Sequence, residues 1–155
     1  MTASDWLKVV AGVVATLGFS ILFHLRPRHW AFSALSAVLG CVVLFLTDGA
    51  LDGQFLPNFL AALCVAAAAE LFAVLCKAPS TVFLLTGVIV LVPGGRLFYG
   101  MRDLLVQHDA AGYASLYEAL VICLGIGCGI ISASFFRYLF HRVYLLTHKS
   151  SRKDV

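Results

Sequence analysis

Glu70 is the first residue whose chemistry needs an explanation, because it stands between the runs AALCVAAAA and LFAVLC. A charge at the centre of a membrane helix costs about 2.5–3.5 kcal/mol on insertion scales, so such groups face protein or water and often mark ion or proton paths. Its neighbours one turn away, Ala66, Ala67 and Ala73, form a small-residue face that suits an interior orientation. A proton- or ion-carrying carboxyl fits this setting. So does a hydrogen-bonded structural carboxyl, or one nearer the membrane surface. Glu118 opens a later apolar run, where the helix dipole favours an acid in the first turn. Arg137 stands toward the other end of that run, and its long stem lets the guanidinium reach the membrane surface.

The second chemical feature is the stretch LVPGGRLFYGMRD at 91–103. Pro93 removes a backbone donor and disfavours helix at Val92, and Gly94 and Gly95 permit unusual dihedrals. In hydrocarbon, freed backbone groups are costly unless protein or a wet cavity satisfies them. Beyond the break, Leu97, Phe98, Met101, Leu104 and Leu105 share one helical face, while Arg96, Asp103 and Gln107 fall largely elsewhere. That pattern predicts a short amphipathic helix over 96–107. Its N-terminus offers unpaired N–H groups and a positive dipole end, with Arg96 beside them. Transporters hold anionic groups at discontinuous helices of this kind. A plain loop followed by an interfacial helix accounts for the same residues.

Other chemistries find no support. Ser20 and His24 lie four apart, yet no Gly-x-Ser-x-Gly motif or intramembrane Asp pair accompanies them, and a helical serine bonding its own backbone is the simpler reading. There is no GxxxxGK[ST] and no GxGxxG. Cys41, Cys64, Cys76, Cys123 and Cys128 form no CxxC pair, no histidine stands at zinc-finger spacing, and most of the five read as small apolar helix residues. No enzyme activity, cofactor or metal site is expected.

The elements that must position these residues follow from composition. The 155-residue chain is 61% hydrophobic and only 12% charged, too few polar groups to cover a small soluble domain. Its apolar runs predict an all-α, polytopic membrane protein: one integral membrane domain over 1–155 with about five segments, at 6–25, 30–46, 59–76, 81–95 and 115–140. About twenty helical residues cross a hydrocarbon core of about 30 Å, so the fourth segment, broken by Pro-Gly-Gly, is short. A version with four crossings makes it re-entrant. MTASDW lacks the basic start of a signal peptide. The loops alternate in charge: RPRH and KAPS are basic, TDGALDGQFLPN carries only acids, and the tail at 141–155 is basic. Placing the basic loops inside puts the N-terminus outside and the C-terminus in the cytoplasm. The net charge of +3 reflects these loops and the tail, which argues topology and no nucleic-acid partner. Gly125, Gly129 and Ala133, like Ser36 with Gly40 and Ala62 with Ala66, recur four apart, as in helices that pack closely in lipid or against a partner helix.

Residues 77–105, KAPSTVFLLTGVIVLVPGGRLFYGMRDLL, carry a resemblance to the threonine/serine exporter family. The specific pieces are Ala78-Pro79, the LVPGG turn and the LFYGM run; Val90 departs from a further proline often found there. The chain is similar to the C-terminal-type half of that family standing alone as a small subunit. The resemblance implies a complementary membrane subunit as partner, with a homo-oligomer also open. It further implies export across the bacterial inner membrane of small amino acids (threonine, serine) or short dicarboxylates such as succinate, driven by the proton motive force. Carried over residue by residue, it marks Pro93, Gly94 and Gly95 as the break, with Arg96 and Tyr99 beside it. Glu70 and Glu118 enter from membrane chemistry alone. The competing expectation is a non-transporting scaffold or regulatory subunit.

Overall fold

A computed structural model describes the backbone of residues 3–106 and 111–150, and the side chains of residues 10–106 and 111–139. The expected polar stretch at 107–110, the end of the tail at 151–155 and the side chains of 140–150 lie outside these described residues. Among the described residues six α-helices follow one another: α1 Ala3–Leu22, α2 Trp30–Asp48, α3 Phe55–Cys76, α4 Ser80–Val88, α5 Gly94–Leu105 and α6 Ala111–Ser150. Short 3-10 turns occupy Pro27–His29 and Ile89–Leu91.

Pro27–Asp48, Phe55–Cys76 and Ala111–Leu139 are each long and apolar enough to cross a membrane. Ser80–Leu91 and Gly94–Leu105 pass that test together, as a pair bent by 47°. The 20-residue α1 has a shorter described apolar part, Val10–Leu22. Outward faces carry Val14, Leu46, Val74, Ile131 and Phe135, all exposed, as a lipid-facing surface requires.

The centre of the bundle is built on small residues. Ala61, Ala62 and Val65 of α3 pack with Leu91 and with Ile122 and Ile126 of α6. A Cβ at Gly125 would sit 2.7 Å from the Phe55 carbonyl oxygen, and one at Gly129 would sit 2.6 Å from that of Phe59. The two backbones touch there, so only glycine fits; the four-residue spacing in the sequence is the α3–α6 seam. The contacts Gly125–Phe55 and Gly129–Phe59 run in the same order along both helices, which makes α3 and α6 parallel. The chain between them therefore returns from one end of the bundle to the other.

A second cluster, Ala69, Phe72 and Phe83, fills the end where α1 and α3 stop. Both helices stop in the same way. His24 (φ 54) and Lys77 (φ 50) take the left-handed conformation, and the next N–H reaches back five residues: Leu25 to the Ser20 carbonyl at 2.9 Å, Ala78 to that of Ala73 at 3.1 Å. Pro27 and Pro79 then fix the entries to the following helices.

Candidate functional site

At the break, the 3-10 turn ends in extended Val92 (φ −63, ψ 128), Pro93 caps α5, and Gly94 is already helical. The amphipathic helix starts two residues before the expected 96, because nothing about Gly94 and Gly95 is conformationally unusual. Neither has positive φ, and a Cβ on either would meet no atom within 4 Å. Their contribution is a bare stretch of backbone, not a special dihedral. Pro93, Gly94 and Gly95 line a cavity of about 600 Å³ between the C-terminal half of α2, the start of α3 and the break. Cys41 and Val90 form part of its apolar wall, while Asp48, Gln54, Asn58 and Arg96 supply its polar groups. Asn58 is nearly buried, and its amide donates to the Gln54 carbonyl at 2.7 Å. No side chain caps α5; the Gly94 N–H donates to the Val92 carbonyl at 2.8 Å and that of Leu97 to the Pro93 carbonyl at 3.1 Å, which leaves those of Gly95 and Arg96 without an intrahelical partner.

The cavity is bipolar: Asp48 is a carboxylate, Arg96 a guanidinium, and Gln54 and Asn58 are amides. Sequence reasoning found Arg96 and the break but took Asp48 and Gln54 only as loop polarity and passed over Asn58. The available signal was Asn58 itself, an amide directly after Pro57 at the head of an apolar run.

The charged candidates are coupled in pairs. Arg96 of α5 donates to Glu118 of α6 in an ion pair at the edge of the cavity. Glu118 is not in a first helical turn, since α6 begins at Ala111 and not near 115; its partner is a side chain, not a helix terminus. Arg137 does not simply extend to the surface: its Nε lies 3.2 Å from Oε1 of Glu70, tying α6 to α3. Glu70 retains 23% side-chain exposure and faces α6 near the outer edge of the bundle rather than the break. Nineteen residues of α6 separate Glu118 from Arg137, about 28 Å along the axis. The two ion pairs therefore lie at different levels of the bundle. Tyr99 stays outside the cavity; its ring packs edge-on to Phe98 and lies 4.9 Å beneath the Arg102 guanidinium. Ser20 and His24 make no dyad: Ser20 Oγ donates to the Thr16 carbonyl at 2.8 Å, and His24 Nδ1 lies 3.1 Å from the Leu22 carbonyl.

Residues 8–136 match the sequence model of a family described as threonine/serine exporter, ThrE. No curated protein and no solved structure matches the chain.

Proposed function

Since this chain belongs to the threonine/serine exporter family, a family of multi-pass transport proteins and not of enzymes, we propose that the cavity at the α4–α5 break is where it receives a small amino acid. The observation that carries this reading is the opposed pair of charges. A zwitterion needs an anion for its ammonium and a cation for its carboxylate, and Asp48 and Arg96 line one cavity. The bare backbone at Gly94 and Gly95 lets the ligand approach the α5 N-terminus, whose dipole adds to the hold on a carboxylate. A cavity of about 600 Å³ is within the usual size of small-molecule sites. A dicarboxylate such as succinate would set its second carboxylate against Asp48, so threonine and serine fit better.

In this mechanism the substrate carboxylate competes with Glu118 for Arg96, and occupancy loosens the α5–α6 contact. Proton coupling runs through Glu70: protonation cancels its charge and frees Arg137. The chain acts as a subunit in the bacterial inner membrane, N-terminus outside, with a complementary membrane subunit of the same family completing the path.

The test is efflux of labelled threonine from vesicles carrying this chain with its complementary subunit, under an imposed proton gradient. Asp48→Asn and Arg96→Gln are each expected to lower efflux tenfold or more at equal protein levels. Unchanged efflux in both variants refutes the cavity assignment. Full export by the complementary subunit alone leaves this chain the scaffold role.

A further inference from the structure

At the end of the bundle away from the α4–α5 break, the α1–α2 and α3–α4 loops close around a second cavity of about 400 Å³. Arg26, Arg28 and Lys77 line it with the imidazoles of His24 and His29, and among the described residues no Asp or Glu does. Among the described residues none of the three cations is in an ion pair. This concentration of unbalanced positive charge is one observation. The second is independent of it. His29 is only 9% exposed, its ring stands edge-on to Phe83 with centroids 5.9 Å apart, and its Nδ1 is buried with no hydrogen-bond partner. Buried polar atoms are almost always satisfied, so an orphaned ring nitrogen on a residue that lines a cationic recess marks that end of the bundle as incomplete without a further group. The loop that carries it is fixed: Trp30 Nε1 donates to the Leu25 carbonyl at 3.0 Å. Cations near helix ends also complement the dipoles of α1 and α3, but that leaves the His29 nitrogen unexplained.

We propose that this recess binds a phosphate-type oxyanion, carried by the headgroup of an anionic phospholipid or free as inorganic phosphate. Arginine forks and a lysine serve phosphate oxygens, and Phe23, Val82 and Phe83 give an apolar wall beside the charged mouth. Basic recesses between membrane helices hold anionic headgroups in this way. Among the described residues the recess has no carboxylate for an ammonium, unlike the cavity at the α4–α5 break. The proposal does not rest on the export reading.

Thermal unfolding of the full chain in neutral detergent tests it, with additions of phosphatidylglycerol, phosphatidylcholine or inorganic phosphate. Phosphatidylglycerol is expected to raise the midpoint by several degrees and phosphatidylcholine to leave it unchanged. Arg28→Gln and Lys77→Gln should each shrink the shift by half or more, while Arg102→Gln, which removes one cation from α5, should keep it. Stabilisation by phosphatidylglycerol alone assigns a lipid headgroup, and stabilisation by phosphate as well assigns a free oxyanion. No shift with either, or equal loss in Arg102→Gln, overturns the proposal. Should either recess variant fail to fold, the two ligands added to the unaltered chain still decide it.

Discussion

Removing either side of the Glu70–Arg137 pair should destabilise the bundle unequally, and the inequality follows from geometry. At 3.2 Å and an effective dielectric constant of about 20, two unit charges attract by about 5 kcal/mol before desolvation is subtracted. Most of that is lost at the edge of a bundle; freely exposed pairs retain about 0–1 kcal/mol. Glu70 stands six residues before the end of α3, about 9 Å from it, where an unpaired charge meets part of the 2.5–3.5 kcal/mol centre-of-membrane cost. Arg137→Gln strands Glu70, which is 23% exposed on a short stem and has little freedom to reach water. Glu70→Gln strands Arg137, which is 61% exposed on a long stem that can. The expected costs are about 2 kcal/mol for Arg137→Gln, about 1 kcal/mol for Glu70→Gln and about 2 kcal/mol for both together, a coupling of about 1 kcal/mol. Equilibrium unfolding of the four proteins in mixed micelles measures all these terms. Costs that add to within about 0.3 kcal/mol, or a larger cost for Glu70→Gln than for Arg137→Gln, would refute the reasoning.

The α3–α6 seam makes a second prediction. Gly129→Ala places its methyl carbon 2.6 Å from the Phe59 carbonyl oxygen, a backbone atom that cannot rotate away, so the same assay should show a loss of about 1–3 kcal/mol. Gly94→Ala combined with Gly95→Ala should not destabilise the chain and should gain about 0.4–1 kcal/mol per site, because both residues are helical and neither methyl meets anything. Threonine efflux by that double variant then reports on the cavity alone; a rate equal to the unaltered chain's would mean that bare backbone is not used there.

The parts of this fold written in local spacing were readable. Gly125 and Gly129 announce a close helix contact because glycine four apart has few other uses in a membrane helix. Pro93 announces the break because no helix-interior proline can donate its hydrogen bond. Helix starts were less so. Pro57 looks like a loop residue, yet it sits in the first turn of α3, where its missing N–H costs nothing, so the helix begins at Phe55 rather than 59. What local pattern does not contain is which charges meet. Arg96 and Glu118 are 22 residues apart and Glu70 and Arg137 are 67 apart, so each read as a lone charge with a local explanation. Asp48 and Asn58 were missed for the same reason: a carboxylate at a helix end and an amide beside proline are ordinary, and only packing turns both toward one space.

The parallel pairing of α3 with α6 also sets a timetable for biogenesis. Glu70 leaves the ribosome 67 residues ahead of Arg137, which at about 5–20 residues per second is a lag on the order of 3–13 s. Through that interval α3 must stay in the insertion machinery, or against α2, with its acid unanswered, while α4, α5 and most of α6 are still being made. A helix made well after α3 is thus the one that answers its charge, and a chain truncated before residue 137 would leave that acid permanently without its arginine.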